Sequence, residues 1–348
     1  MRAISISAVG SADQLKVEEF PRPVASNTSG EQLLIRVDLA GINFFDIYQR
    51  RGERPMSFPG ILGVEGIGTI LESSVPLLNF KVGDRVTVPF VCGCGTCQFC
   101  LRGDAQVCPT QTQPGFTGFG SFAEYVAIDN ADFNLINIPS EVSFATAAAL
   151  GCRFATAYRG LIKRAKLMAG EKVVIYGCGG VGLSAVMIAK AQGAIVYAVD
   201  INDGALEVAA SLGAQTINSH TSDPVAFLQN LGGAEVAVDA LSSEATAGES
   251  VLSLARGGRH LQLGLLLTPS GLTAMPMARV IAWELDLLGS HGMAARDYPE
   301  MLALVASGAL DPSLLVKREV GIEKGAVALT DLDKQVTGGI TIINPARL

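Results

Sequence analysis

The sequence predicts an α/β protein in two parts: a β-rich module first, then a doubly wound parallel sheet. Two observations carry this. Before residue 140, short β-favouring runs are separated by dense Gly and Pro, and periodic helical patterns are scarce. After Phe144, apolar β-runs alternate with helical patterns, which is the rhythm of βαβ units. With 348 residues and 49% apolar composition, the chain is long enough for two cores.

The first module is expected to span residues 1–150. Its strands are Leu33–Leu39, Gly68–Leu71 and Asp84–Val88, preceded by the alternating start Met1-Arg-Ala-Ile-Ser-Ile-Ser7. The second part, residues 151–289, has candidate strands at Lys172–Tyr176, Ile195–Val199, Gln215–Asn218, Glu235–Ala240, His260–Gly264 and Leu285–Leu288. Residues 290–348 read as one helix, Tyr298–Ser307, and a β-like ending, Gly339–Asn344. No internal repeat or low-complexity linker interrupts this order.

The stretch Val173–Leu183 organises the chain. A strand runs into Gly177-Cys178-Gly179-Gly180-Val181-Gly182, and a helical pattern follows. In such a turn Gly177 permits the sharp reversal, Gly179 lets a pyrophosphate approach the backbone, and Gly182 lets helix and strand pack closely. Gly180 and Val181 open the helix, whose exposed N–H groups and dipole favour phosphate. The second strand ends in Asp200, which can accept both ribose hydroxyls and would repel a 2′-phosphate. The expected cofactor is a dinucleotide, NAD(H) in preference to NADP(H).

Cysteine supplies the second motif. Cys94-x2-Cys97-x2-Cys100-x7-Cys108 places four thiols on a Gly-containing loop within a lobe at residues 92–108. Short spacings bring four soft ligands together at small entropic cost, the pattern of a closed Zn²⁺ site. One structural Zn²⁺ is expected there, with Cys92 not needed. Four thiolates leave that ion no open position for substrate.

Composition excludes some partners. The net charge is −7 and no Lys/Arg cluster offsets it, so neither nucleic acid nor an anionic membrane is an expected partner. No apolar run approaches a bilayer-spanning length and the start lacks a signal-peptide core, so a cytoplasmic location is expected.

Together these motifs identify the chain as resembling the medium-chain dehydrogenase/reductase superfamily. It has a GroES-like β module with a four-cysteine lobe, then Gly-x-Gly-Gly-x-Gly and an acid-ended second strand. The stretch from Asp84 to Gly292 is most similar to bacterial zinc-dependent alcohol dehydrogenases, through Val91–Cys97, Gly120–Val126 and Leu150–Tyr158. The resemblance covers essentially the whole chain. It implies a Rossmann NAD-binding domain and a split catalytic domain that the last residues return to complete.

The departures from that family bear on chemistry. Its zinc-dependent members carry Gly-x-Cys-x-Ser/Thr-Asp and Gly-His-Glu segments, whose Cys and His bind catalytic zinc. Here the corresponding stretches are Gly41-Ile-Asn-Phe-Phe-Asp46 and Gly63-Val-Glu65. Asn43 replaces the Cys, Val64 the His and Phe45 the relay hydroxyl, leaving Cys152 and the nearby Glu65. His220, His260 and His291 read as structural, although His291 lies in a hinge-like segment. The stretch Gly41–Gly52 is instead similar to zinc-free quinone oxidoreductases of the same superfamily, which keep Asn and Tyr where Asn43 and Tyr48 stand.

The leading expectation is therefore an NAD(H)-dependent reductase without catalytic zinc. Its substrate would be a small apolar quinone, enone or activated carbonyl. Conjugation makes such acceptors electrophilic without a Lewis acid, and one or two hydrogen bonds can hold the developing oxyanion. Asn43 and Tyr48 are the candidate donors, Tyr48 or water supplying the proton. Asn43 as a turn residue and Tyr48 as an interfacial aromatic are the structural alternatives. Phe44, Phe45, Phe90 and Cys152 would line the pocket, or pack as core. By resemblance, Thr156 touches the nicotinamide, and Gly264 and Leu265 flank its ribose. The resemblance also implies a homodimer or homotetramer formed near Leu265–Ile281. Two other readings stand beside this one. One is a zinc-dependent alcohol dehydrogenase with zinc on Cys152, Glu65 and a third residue; the other is an NAD(H)-binding protein without turnover.

Overall fold

The structure, a computed structural model, describes residues 1–25, 33–54, 56–266, 272–334 and 339–347. It divides into two compact units. The first comprises Met1–Ala155, Gly292–Gln335 and Ile340–Leu348, and the second is built on Thr156–His291. The division falls inside the helix Cys152–Tyr158 and after His291, within a few residues of the expected boundaries at 150 and 289.

In the first unit the strand Leu33–Gly41 is central. It pairs antiparallel with Gly66–Ser73, with Tyr125–Ile128 and with Ile340–Asn344. The resulting seven-stranded sheet also contains Val316–Gly321, Arg85–Thr87 and Ile136–Asn137. Leu33, Ile35, Val37 and Ala40 from that strand pack with Ile4, Ile6, Ile47, Ile70, Val86, Phe122 and Ile343 in one apolar core. Gly68 is required where two strands press together, since a Cβ there would lie 1.9 Å from the Arg36 carbonyl oxygen.

Two expectations for this unit need correction. Residues 41–52 contain a helix, Phe44–Arg50, and the chain beyond residue 307 adds a strand, Val316–Gly321, and a second helix, Ile322–Lys334. That helix buries Ile322, Gly325, Ala328 and Leu329, an i, i+3, i+6, i+7 stripe among charged residues.

The second unit is a six-stranded parallel sheet. Its strand order is Gln215–Asn218, Ile195–Asp200, Lys172–Tyr176, Ala234–Asp239, Leu254–Gln262, Asp286–Gly289. The first three strands in sequence progress one way from Lys172–Tyr176 and the last three the other. The direction of winding therefore reverses between Lys172–Tyr176 and Ala234–Asp239, the switch point where such sheets bind ligands. Val173–Tyr176 are all buried, as expected of a strand covered on both faces. The fifth strand begins at Leu254, six residues earlier than the sequence suggests, because Arg256, Gly257, Gly258 and Arg259 break the apolar run.

Candidate functional site

Asn43 caps the helix Phe44–Arg50. Its Oδ1 accepts from the Phe45 amide at 3.0 Å, and the Asp46 carboxylate accepts from the Asn43 amide at 2.8 Å. This is a reciprocal capping arrangement. Asn43-x-x-Asp46 was the signal from which the helix could have been read. The second Asp46 oxygen accepts from the Gly63 amide at 3.1 Å, tying the helix start to the turn that carries Val64 and Glu65.

Glu65 and Arg153 form a buried pair with side-chain exposures of 1% and 7%. Glu65 Oε1 accepts from Arg153 Nε at 3.1 Å, from the Arg153 amide at 3.1 Å and from Asn43 Nδ2 at 3.0 Å. Its other oxygen accepts from Arg153 Nη2. The pair lies against two glycines. A Cβ on Gly41 would meet Glu65 Oε2 at 2.3 Å, and one on Gly151 would meet Glu65 Cγ at 2.5 Å. Glu65 thus binds both the backbone and the side chain of Arg153. Arg153 was not singled out, although it directly follows Cys152.

Asp46 is fully buried, and burial, with the Glu65 charge alongside, pushes its carboxyl up to about 7. Phe45 meets Phe90 edge-on at 5.2 Å and Phe116 at 5.9 Å, so the structure adds Phe116 to the expected aromatic group. Phe44 instead lies beside Tyr48, with ring centroids 6.3 Å apart. Tyr48 is partly buried, and desolvation holds its phenol above the ordinary tyrosine value. Cys152 is partly buried at the start of its helix. Thr156, one turn on, is 7% exposed.

The four lobe cysteines come together as the spacing predicts, with their Sγ atoms all within 4.8 Å of one another. Cys97 and Cys108 sulfurs are 3.8 Å apart, about the edge of a tetrahedron with 2.3 Å metal–sulfur bonds. Amide N–H groups of Cys97 and Cys100 point at Cys94 Sγ and Cys97 Sγ, at 3.4 and 3.5 Å. The Thr96 hydroxyl and nearby amides pull Cys94 down to about 5, whereas burial pushes Cys100 up to about 12. A soft cation reconciles these environments by making all four thiolates, so the donor set fits zinc. Among the described residues this is the only group of three or more His, Cys, Asp or Glu arranged to hold a metal.

In the second unit Gly177 adopts φ +93°, and a Cβ on Gly182 would lie 1.7 Å from the Gly177 carbonyl oxygen. Only glycine serves at either position. A Cβ on Gly179 would meet nothing within 4 Å, leaving open space at the start of the helix Gly180–Ala191. Val181 follows in its first turn, and no side chain caps the helix. Asp200 ends the neighbouring strand. Its Oδ2 accepts from the Cys178 amide at 2.6 Å and its Oδ1 from the Asn202 amide at 2.9 Å. Each oxygen keeps lone-pair capacity for a ribose hydroxyl, so this cradle fits a dinucleotide. Gly264 closes the strand-end layer, its amide donating to the Asp239 carbonyl oxygen at 3.0 Å, and Leu265 follows half-buried. Sequence reasoning missed Asp239, which is fully buried at the tip of Ala234–Asp239.

A dinucleotide cradle at the switch point of one unit and a β-rich unit carrying a four-thiol lobe define an NAD(P)-dependent oxidoreductase. Residues 29–140 match the alcohol dehydrogenase GroES-like domain, and residues 180–307 match the zinc-binding dehydrogenase domain. An alcohol dehydrogenase of Geobacillus stearothermophilus is 33% identical over 84% of this chain and 86% of its own. An acryloyl-coenzyme A reductase of Sulfurisphaera tokodaii is 28% identical over 96% and 95%. The alcohol dehydrogenase TADH of Thermus sp. ATN1 superposes with a TM-score of 0.90 at 28% identity, covering 99% of both chains. The chain belongs to the medium-chain dehydrogenase/reductase family, on the scaffold of its zinc-type alcohol dehydrogenases.

Proposed function

We propose that this protein reduces a conjugated carbonyl compound with NADH and uses no catalytic metal. The substrate class is a quinone, an enone or a related activated carbonyl such as an α,β-unsaturated acyl thioester. The observation that carries this is the engagement of Glu65. Both its oxygens are taken by Arg153 and Asn43, and its chain neighbour Val64 offers no ligand atom. A catalytic zinc needs about three protein ligands and an open position. Cys152 alone does not meet that need.

Bound NADH would supply the hydride, which a conjugated carbon of the substrate can accept as charge passes to its oxygen. Asn43 Nδ2 spends one N–H on Glu65 and keeps a second for that oxygen. The Tyr48 hydroxyl, kept neutral by its burial, gives the proton that completes the reduction. Phe45, Phe90 and Phe116 offer an apolar wall to a flat substrate. The acryloyl-coenzyme A reductase among the relatives supports reduction of an activated double bond.

The same proposal places one structural Zn²⁺ on Cys94, Cys97, Cys100 and Cys108, and a homodimer or homotetramer in solution. The strand Asp286–Gly289 ends its sheet among the described residues, and Leu287 and nearby Ile281 are exposed. Residues 267–271 of the expected contact segment lie outside the described residues.

The relatives named alcohol dehydrogenases favour a second reading, oxidation of simple alcohols through a zinc on Cys152. Metal analysis of protein purified without added metal, paired with activity screens, separates the two. About one zinc per chain, with NADH-dependent reduction of quinones or enones that chelators spare, is the expected result. About two zincs, with chelator-sensitive oxidation of alcohols by NAD, would overturn the metal-free reading.

A further inference from the structure

Three strand ends meet in one layer at the switch point of the second unit. A Cβ on Gly177 would lie 3.0 Å from Leu241 Cβ, and one on Gly264 would lie 1.9 Å from Ser242 Oγ. The loop after Asp239 therefore rests on the glycine turn on one side and on the next strand's end on the other. Ser242 holds φ +72° in that loop, a left-handed conformation that is strained for a non-glycine residue. Something must hold it there.

Asp239 does so. One of its oxygens accepts from the Leu241 amide at 3.0 Å, the Ser242 amide at 2.8 Å and the Thr246 hydroxyl at 3.2 Å. Gln262, its register partner across the parallel pair, shares the two N–H groups of Nε2 among Asp239 Oδ2 at 3.3 Å, Ser242 Oγ at 2.9 Å and the Gly264 carbonyl oxygen at 3.2 Å. The amide's orientation is set in turn by His260. Gln262 Oε1 can only accept, so His260 Nε2 carries the hydrogen, and Nδ1 accepts from the buried Ser250 hydroxyl at 2.9 Å. Burial holds His260 below its ordinary value, favouring this neutral form. A continuous polar chain thus runs from Ser250 to the loop at residues 240–242.

In a doubly wound sheet each half serves one mononucleotide. Asp200 lies in the half that takes adenosine, so the layer built by Asp239 and Gln262 belongs to the other. We infer that Asp239 and Gln262 are positioning residues for the nicotinamide half of the cofactor. They act through the backbone of 240–242 and 264, and leave the adenosine half alone. The inference rests on the reading of this unit as the NAD(H) holder.

The test compares NADH with ADP, which carries adenosine and the pyrophosphate but no nicotinamide riboside, by calorimetric titration of the full chain. In Asp239→Asn the new Nδ2 faces the Gln262 amide, donor against donor. NADH affinity should fall about tenfold, the size of one lost charge-assisted hydrogen bond. ADP affinity should stay within about twofold, and the fluorescence enhancement of bound NADH should fall. The double variant Asp239→Asn/Gln262→Glu restores a donor–acceptor pair and should recover much of the loss. Gln262→Met, which removes the amide without touching the carboxylate, carries the same expectation should Asp239→Asn fail to fold. Equal losses for NADH and ADP, or no loss for either, would overturn the inference. A wild-type chain that binds neither would overturn the cofactor reading itself.

Discussion

Arg153 occupies both oxygens of Glu65, in a setting where neither charge reaches water. The pair is closed by Asn43 on one side and by the bare backbones of Gly41 and Gly151 on the other. Removing one member strands the other. Arg153→Met should therefore destabilise the protein by about 3–5 kcal/mol, with Glu65→Gln/Arg153→Met recovering part of the loss. Urea denaturation of the three forms checks this. A cost below about 1 kcal/mol for the single variant would mean that water reaches the pair.

Asp46 gives this region a pH dependence. Its folded value, about 7, lies above the ordinary carboxyl value, so the folded chain holds a proton that the unfolded chain has already released. Its contribution to stability is complete below about pH 4 and is lost as pH rises through about 7. Stability measured between these limits should decline with pH on account of Asp46, and Asp46→Asn should flatten that part of the profile. An identical slope in the variant would exclude Asp46 as its source.

Asp200 has two tasks. It accepts from the Cys178 amide inside the glycine turn, and we propose that it also meets the adenosine ribose. Asp200→Ser should weaken NADH by about tenfold or more and NADPH by less, so that discrimination between them collapses. Titration with both cofactors measures the ratio, and an unchanged ratio would remove Asp200 as the determinant.

Tyr48→Phe keeps the ring beside Phe44 and removes only the hydroxyl. Turnover should drop by about a hundredfold, with NADH affinity unchanged. Because burial raises the Tyr48 phenol, ionisation of this group should cause no loss of wild-type activity up to the ordinary tyrosine value. An unaltered rate in the variant would leave water as the donor.

Legibility from sequence followed the range of the physics involved. The cysteine lobe and the glycine turn were readable because ligand spacing and backbone freedom are local properties. Lys172–Tyr176 and Gln215–Asn218 were placed to the residue, the first because its apolar run ends at the glycine turn. The helix Phe44–Arg50 was missed although Asn43 and Asp46 announce its cap, because seven residues are too few to show a helical period. Ile322–Lys334 was missed because charged residues dilute its apolar stripe. Arg153 and Asp239 were not legible at all. Their roles depend on Glu65, 88 positions away, and on Gln262, 23 away, and no local pattern encodes such pairings.

The strand Ile340–Asn344 lies between Val316–Gly321 and the central strand Leu33–Gly41, pairing Ile342 with Gly41 and Ile343 with Ala40. A ribosome must therefore deliver residue 344 before the sheet begun at residue 33 can be finished. The parallel sheet of Thr156–His291 draws its strands from one continuous segment and can close on the nascent chain while the first module still waits. During translation Tyr125–Ile128 can cover the Leu33–Arg36 part of that strand's edge early, while the Ala40–Gly41 end stays unpaired for the time of about three hundred peptide bonds.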